Sequence, residues 1–467
     1  MTSVSLASSL LIALLLGGCA ITRVDPPAPV KAPEQFKEDA LWQRAKAAEP
    51  APEAWWELFK DPVLDDLEKR LVIGNENLKA TAAQVASAQA TVAASHAAML
   101  PTLSTSLSGT RNRNATSGNG GTAVAGGSNP SNSVDLGLTA GWEVDLWGRL
   151  SQAASAAEAS YQASRGDLAA ARLSAQSLLA QTYFSLRSSE LQSDLLDRSV
   201  AAYQRSLDLT QARFDSGVAA RSDVLQAETQ LDATRAQALE AKSQRATYEH
   251  ALAVLLGVPP SSFALPAAKA LPAAPALPEF LPATLLERRP DIGAARARVV
   301  AAYLQIGVAD AAYFPQIDLT GSGGWRHSSF NQLVSAPNLV WSLGASLTEA
   351  ILDSGQRQLA SAQARASADA ATATYRQTVL TALQEVEDNL VQANHLATEE
   401  TLQDQARKAA ASNLDLTLDQ YRAGTVSYLN VVTAQTALLS AEQSLLDVQN
   451  RRLAALDTLL KNIAGRW

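Results

Sequence analysis

One segment of this chain occurs twice, and this duplication constrains the fold more than any other feature of the sequence. Residues 75 to 109 resemble residues 289 to 323 at an offset of 214. Residues from about 142 onward resemble a later stretch at an offset of 207, because the first copy has a longer loop rich in Gly, Asn and Ser. Matched pairs include Asn77 with Asp291, Pro101 with Pro315, Gly148 with Gly355, Gly217 with Gly424 and Leu231 with Leu438. Each copy is predicted to form a helix, a β-hairpin, a very long helix and a final helix.

The N-terminus has the pattern of a bacterial lipoprotein signal. An apolar stretch from Leu6 to Leu16 is too short to span a bilayer, and small residues follow it up to Cys19. The first five residues carry no Lys or Arg, whereas export signals normally begin basic. We predict that residues 1–18 are removed and that Cys19 carries acyl chains, which together form a stable membrane anchor. The alternative is a short buried helix with a chance cysteine.

Composition excludes several classes of protein. Cys19 is the only cysteine, so lipid attachment there would leave no disulfide within the chain. A formal charge of -8 argues against nucleic acid as a partner. No run of 18 or more apolar residues follows the signal, which we take to exclude a transmembrane helix. The four histidines lack metal-ligand spacing, so we expect neither a metal, nor another cofactor, nor catalysis. The many carboxylates are interpreted as solvated helix faces.

Four stretches alternate apolar and polar residues with the period of a β-strand. The clearest covers residues 133–145, and the others cover 100–111, 315–326 and 338–348. Each is about ten residues long, the length that a tilted outer-membrane strand requires. An ordinary half-buried sheet would have the same periodicity. The lipoprotein signal, the Gly-rich connection and the tryptophans near strand ends favour a membrane barrel.

Four strands cannot close a membrane barrel, because the smallest such barrels use about eight. An open edge in lipid would leave backbone groups without hydrogen bonds. Two chains would give eight strands around an interior filled by side chains, whereas three would give twelve strands and room for a water-filled lumen. The sequence therefore predicts oligomerisation and favours three or more chains.

Two proline-free segments, about 149–214 and 356–421, are predicted to form helices of roughly 100 Å. Helices at about 222–256 and 429–463 follow them. Their apolar stripes have 3/4 spacing and contain many Ala, Ser and Thr residues, so each helix buries little surface. This suits a ring of helices, each touching two neighbours. A plain coiled-coil bundle or spacer is the alternative.

Each long helix is predicted to end at a glycine, Gly217 in the first copy and Gly424 in the second. Arg213 lies in the last turn before Gly217, and Ser222 or Asp223 is expected to cap the next helix. The turns fit a docking role and ordinary turn chemistry equally well.

Several motifs together resemble the outer-membrane efflux lipoproteins of the NodT type, in the TolC family. They are Leu16 to Cys19, Trp142 to Arg149, Glu287 to Ile292, Ile351 to Gly355, both glycine turns and the Gly465 to Trp467 end. The resemblance implies a homotrimer in the bacterial outer membrane, lipid-anchored, with a long periplasmic extension. Its fold would be a twelve-stranded β-barrel continuous with a twelve-helix α-barrel. It would be an exit duct, not an enzyme, serving an inner-membrane pump of the RND type and a periplasmic adaptor.

By the same resemblance, the turns around Gly217 and Gly424 are the periplasmic tips, where the duct is closed at rest and meets the adaptor. Relatives often carry a leucine at the position of Leu429 and an aspartate at that of Thr433. The sequence keeps the leucine but not the aspartate. It leaves open whether Asp223 supplies the missing charge from the other turn.

The predicted divisions are a signal peptide (1–18), an N-terminal anchor and equatorial segment (19–62), a first repeat (63–257), a Pro/Ala-rich connector (258–282) and a second repeat (283–467). Two other functions stay open. A duct for type I protein secretion would share the fold, and a structural envelope lipoprotein would lack a pore.

Overall fold

The computed structural model describes residues 24–28, 54–113, 130–275 and 289–464. The signal peptide, Cys19, most of the Gly-rich loop, the end of the connector and Gly465 to Trp467 lie outside the described residues. The chain forms two compact units. Of the described residues, one unit contains 24–28, 86–113, 130–163 and 296–374, and the other contains 54–85, 164–275, 289–295 and 375–464.

The first unit contains a four-stranded sheet in the order β1-β2-β3-β4, with every neighbouring pair antiparallel. The strands are β1 (Thr102–Asn112), β2 (Ser131–Glu143), β3 (Gln316–His327) and β4 (Leu339–Thr348). The strand placed at 133–145 from the sequence thus begins and ends two residues earlier. The outer strands β1 and β4 are exposed along their whole length.

Seven α-helices lie within the described residues. They are α1 (Pro62–Gly74), α2 (Glu76–Ala97), α3 (Arg149–Asp215), α4 (Arg221–Leu255), α5 (Pro290–Ala311), α6 (Gln356–Arg422) and α7 (Tyr428–Ala464). The two long helices, α3 and α6, have 67 residues each. Each copy of the duplication therefore runs helix, hairpin, long helix, helix, and α1 precedes the first copy.

Helix α5 qualifies the exclusion of transmembrane helices. Among the described helices, it alone is long and apolar enough to cross a membrane by length and composition. Core helices of soluble proteins meet the same criteria, and α5 is partly buried. The lack of an unbroken apolar run therefore does not by itself exclude a transmembrane helix.

The second unit has an aromatic and aliphatic core beside α1. Asp61 caps this helix, accepting hydrogen bonds from the backbone N–H groups of Val63 and Leu64 at 2.9 and 3.3 Å. The Asp61 carboxylate also accepts a 2.6 Å hydrogen bond from the Tyr183 hydroxyl of α3. Phe59 packs on Phe184, with ring centroids 4.9 Å apart. These contacts hold the segment before α1 against α3.

Two carboxylates in the second unit are fully buried, which makes the interpretation of acidic residues as solvated faces wrong for them. They are Glu68 on α1 and Asp457 on α7. Asp457 accepts hydrogen bonds from the Ser177 hydroxyl at 2.6 Å and the Gln181 amide at 3.0 Å. Neither carboxylate oxygen of Glu68 has a hydrogen-bond partner in the described chain. Burial and the neighbouring Asp457 raise the pKa of Glu68 to about 9, and burial raises the pKa of Asp457 to about 7. Near neutral pH, Glu68 is therefore mainly protonated, and Asp457 is protonated in about half of the molecules.

The connector is held against α3 and α4 by a charged cluster. Glu190 accepts hydrogen bonds from Arg187 at 2.8 Å and from Arg245 at 3.1 Å. The same cluster binds connector backbone: Glu190 accepts from Ala268 N–H at 3.0 Å, and Arg187 donates to the Pro266 carbonyl at 2.7 Å. The Pro-rich connector makes no regular structure over these residues, so side-chain charges provide its hydrogen bonds.

Candidate pore strands and helix turns

The sheet has one apolar and one polar face. Its register aligns Leu107, Leu136, Trp325 and Leu339 across the four strands on the apolar face. On the opposite face Ser108, Asp135 and Arg326 are neighbours, and Asp135 and Arg326 form an ion pair. This is the alternation of a strand with lipid on one side and water on the other. The polar face is the candidate pore wall.

The turn after α3 ends that helix by a left-handed glycine. Gly217 has φ of 74°, a backbone conformation that costs glycine little. Val218 N–H donates to the Arg213 carbonyl at 2.8 Å, which satisfies one of the last carbonyls of α3. Nothing lies within 4 Å of a side chain built at Gly217, so this turn is open to a partner.

The turn after α6 has the same form. Gly424 has φ of 78°, and Thr425 N–H donates to the Gln420 carbonyl at 3.0 Å. Both glycines therefore end their helices as the sequence predicts.

The two turns contact each other through Arg213 and Tyr421. The Arg213 guanidinium lies over the Tyr421 ring, 4.6 Å from its centroid, and Nη1 donates to the Tyr421 carbonyl at 2.6 Å. Tyr421 in turn packs edge-on against Tyr428, with centroids 5.5 Å apart. Burial, followed by Tyr421, Tyr203 and Asp223, raises the pKa of Tyr428 to about 12. One cation thus joins the ends of the two long helices.

The remaining predicted residues lie at the starts of α4 and α7. Asp223 is half-buried in the first turn of α4. There its negative charge interacts favourably with the positive N-terminal end of the helix dipole. Leu429 is 57% exposed, and the Thr433 hydroxyl, one turn further along α7, donates to the Leu429 carbonyl at 2.9 Å. Leu429 and Thr433 therefore share one exposed helix face.

The predicted side-chain cap of α4 is wrong. Ala220 is the N-cap residue, and no side chain there accepts a hydrogen bond. Ser222 and Asp223 lie inside the helix because it begins one residue earlier than predicted, at Arg221.

Sequence reasoning missed the roles of Tyr421 and Tyr428, which lie on either side of Gly424. The available signal was an aromatic residue on each side of the glycine, absent around Gly217, where only Phe214 precedes. The described residues contain no group of three or more His, Cys, Asp or Glu side chains arranged to hold a metal ion.

Comparison with known proteins decides the family. The family model for outer membrane efflux proteins matches residues 69–258 and 281–465. The chain belongs to this family. The predicted function as an outer-membrane channel of an efflux system is confirmed, as is the outer-membrane location.

Individual relatives span nearly the whole chain. The antibiotic efflux pump outer membrane protein ArpC of Pseudomonas putida is 29% identical over 99% of this chain and 96% of its own length. The pyoverdine export outer membrane protein OpmQ of Pseudomonas aeruginosa is 30% identical over 97% and 95%. The solved structure of the outer-membrane channel OprN has a TM-score of 0.87, 28% identity and coverage of 96% and 100%. The predicted fold class, membrane β-barrel strands continuous with long α-barrel helices, is confirmed.

Proposed function

We propose that three copies of this efflux protein form one channel that passes small organic solutes out of the cell. The observation that carries the proposal is the sheet with two exposed outer strands. Their apolar side chains are open on this protomer: Leu103, Leu107, Leu343 and Leu347 are 72, 60, 80 and 68% exposed. Contact of these apolar side chains with lipid is favourable. The backbone N–H and C=O groups at the free edge of a strand, however, are unfavourable in lipid unless they form hydrogen bonds. Three copies supply twelve strands, which suit a water-filled lumen.

The polar face supports broad solute passage. It carries mainly Ser and Thr hydroxyls, with isolated charges such as Asp135 and Arg326. Such a wall offers hydrogen bonds to many different solutes. The relatives named for antibiotic and pyoverdine export support small molecules as the cargo class. Selection among them belongs to the inner-membrane pump.

The glycine turns form the proposed contact with a periplasmic adaptor. They combine an open glycine, Gly217, with exposed apolar side chains at Val218 (67%) and Leu429 (57%). Val218 and Leu429 are apolar side chains that a bound adaptor would cover, and covering them would favour binding. The bond between Arg213 and Tyr421 would hold the resting state, and adaptor binding would favour a state in which the two turns separate. No step in this mechanism requires chemistry or a cofactor other than lipid on Cys19.

Purified protein in planar bilayers tests the channel. We expect trimers that resist SDS until heated and conductance steps of uniform size. A water-soluble monomer without conductance would refute the proposal and favour a structural envelope lipoprotein.

Deletion of the gene tests which class of solute is exported. The deletion should lower resistance to small organic toxicants, and restoring the wild-type chain should restore that resistance. Loss of a secreted protein without any change in resistance would instead favour protein secretion.

A substitution tests the adaptor contact. Leu429→Glu should abolish resistance while leaving trimers and conductance intact, because a charge would enter an apolar contact. Leu239→Glu is the matched control, since Leu239 is 68% exposed in the middle of α4, away from the turns. Equal effects of the two variants would exclude Leu429 from the contact.

A further inference from the structure

The two ends of the four-stranded sheet differ in charge. Glu143 and Asp318 lie opposite each other at the end that joins the helices. Arg111, Arg113 and Arg326 lie at the other end, where the two hairpins turn. Since the helices extend into the periplasm, this basic end lies at the outer surface of the membrane.

Only one carboxylate accompanies these arginines in the sequence. Residues 77–134 contain no Asp or Glu, the connection between β3 and β4 contains none either, and Asp135 is paired with Arg326. Arg111 and Arg113 are exposed, and neither forms an ion pair within the part of the chain that the structure describes. Their two positive charges are therefore free to bind an anion outside the chain.

Arg111 lies on the face of the sheet that meets lipid. It follows Leu103 and Leu107 at intervals of four residues, and side chains at even spacing along a strand share one face. Arg111 is directly opposite Asn132 on β2, and both side chains are exposed. Arg326 lies on the opposite, polar face. The guanidinium of Arg111 is thus presented to the membrane and not to water in the channel.

Two tryptophans on the same face indicate the depth of Arg111 in the membrane. Trp142 lies near the inner end of the face, and Trp325 lies near its outer end. Aromatic girdles of this kind mark the two interfaces of a membrane barrel. From Trp142 to Asn132, the partner of Arg111, β2 rises about 33 Å, or about 25 Å along the membrane normal at a tilt of about 40°. This is the height of the apolar band of such a barrel, so Arg111 lies at the level of the outer headgroups.

We propose that Arg111 and Arg113 bind the phosphate groups of lipid A, the phosphorylated glycolipid of the outer leaflet of bacterial outer membranes. A guanidinium presents a fork of N–H donors that matches phosphate oxygens, and the Asn132 amide beside Arg111 supplies a further donor. The acyl chains of the same lipid would cover Leu107, which is 60% exposed on the same face. One chain supplies the whole contact, so lipid binding does not require a trimer.

Binding of lipid A to the purified, detergent-solubilised channel tests the contact. Native mass spectrometry in the presence of EDTA, which prevents bridging by metal ions, measures the dissociation constant. Each basic residue near an anionic surface strengthens binding about five-fold, so Arg111→Gln should bind about five-fold more weakly than the wild type. Adding Arg113→Gln should weaken binding about 25-fold in total. Arg326→Gln is the matched control, because it removes a positive charge at the same end but from the polar face, and it should bind like the wild type.

Two further ligands test whether a lipid phosphate is what binds. Dephosphorylated lipid A should bind the wild type and the double variant equally, and millimolar inorganic phosphate should not displace lipid A. The idea would be overturned by equal binding of lipid A to the wild type and the double variant, or by an equal loss in Arg326→Gln. Full displacement by inorganic phosphate would also overturn it, since it would show a site for free anions.

Conductance separates lipid binding from the channel itself. The double variant should keep the single-channel conductance of the wild type, which also shows that it is folded. A change in conductance with unchanged lipid A binding would place Arg111 and Arg113 at the pore and contradict the lipid contact. The channel proposal stands or falls by the wild-type conductance alone, whatever the outcome for lipid A.

Discussion

The two copies of the repeat join the start of their first helix to the end of their last helix by different chemistry. At the first copy, the C-terminus of α1 lies just before α2 and meets the end of α4 through backbone: Gly74 and Gly257 approach so closely that a side chain on Gly257 would lie 2.1 Å from the Gly74 carbonyl oxygen. Asn75 then donates to the Leu255 carbonyl at 2.8 Å and caps α2 by accepting from Leu78 N–H at 3.0 Å.

In the second copy an arginine stands in the equivalent place. Arg289, offset by 214 from Asn75, donates to the Asn462 side chain at 3.2 Å, and Asn462 is the equivalent of Leu255. Arg289 also binds Glu385 at 2.9 Å and Asp291 at 2.8 Å. The duplicated junction has kept its position and exchanged close backbone packing for charge. The first copy should therefore be sensitive to added volume and the second to lost charge.

The largest effect is expected from Glu190→Ala, which removes the charged cluster that only the first copy has. The equivalent of Glu190 is Ala397. The substitution leaves Arg187, 2% exposed, with a buried uncompensated charge, so the free energy of unfolding should fall by about 3–5 kcal/mol. Urea titration of detergent-solubilised protein measures it. Glu400→Ala is the control, because its pair with Arg452 is 24 and 30% exposed and should contribute about 1 kcal/mol or less. Equal losses would contradict the prediction.

Gly257→Ala should be next, with a loss of about 2–3 kcal/mol, because it adds a backbone clash to a left-handed conformation. Gly257 has φ of 69°. Its equivalent, Ala464, already carries a side chain. The control is Gly109→Ala, where nothing lies within 4 Å of an added Cβ. A melting temperature unchanged by Gly257→Ala would show that the junction tolerates movement.

The buried carboxylates make stability depend on pH. A carboxyl whose pKa is raised in the folded state keeps a proton that the unfolded chain loses, so its stabilising effect is complete below the unfolded pKa and falls as pH rises toward the folded value. For Glu68 that window runs from 4.5 to about 9. Between about pH 6 and 8 the free energy of unfolding of the wild type should fall by about 1 kcal/mol per pH unit.

Glu68→Gln should flatten this pH profile, because the amide is neutral throughout. The buried neighbour of Glu68, Asp457, belongs to the second copy, and its equivalent in the first copy, His250, is exposed. The pH dependence is therefore expected from the second copy's helix and not from its counterpart. Glu76→Gln, at an exposed ion pair with Lys79, is the control and should leave the slope unchanged. Parallel profiles for wild type and Glu68→Gln would show that Glu68 does not titrate as expected.

Arg289→Gln should reduce the free energy of unfolding by about 1–2 kcal/mol, since its acidic partners are partly exposed. Added salt should weaken the wild type more than this variant. Asn75→Ala in the first copy should show no such difference in salt dependence, because its contacts are neutral. Denaturation in low and high salt distinguishes the two junctions, and identical salt responses would remove the contrast.

The smallest effect on stability is expected at the turns, where Asp223 of the first copy corresponds to the neutral Asn430 of the second. Asp223→Arg should change the free energy of unfolding by about 0.5 kcal/mol or less, but should alter resting conductance or rescue by the adaptor. Asn430→Arg is the matched control for added positive charge. An unchanged single-channel current together with unchanged drug resistance would count against a role for Asp223.

The features predicted from sequence are those set by local periodicity and by the duplication. Alternation located the strands, and the absence of proline located α3 and α6. The glycines at 217 and 424 located their ends, because few other residues take a left-handed turn at low cost.

The features that sequence could not predict depend on which helices pack together. Glu68 and Asp457 have the neighbours of ordinary helical carboxylates in sequence, and only their contacts across helices bury them. The bond between Arg213 and Tyr421 joins residues 208 positions apart. Neither copy contains both partners, so comparing the copies could not reveal it.

The open borders of the four-stranded sheet also bear on biogenesis. A lone chain that entered the bilayer would leave amides bare in hydrocarbon, at a cost of several kcal/mol each. Insertion must therefore await the meeting of protomers. We expect the rate of channel formation to increase more than proportionally with the concentration of newly exported chains.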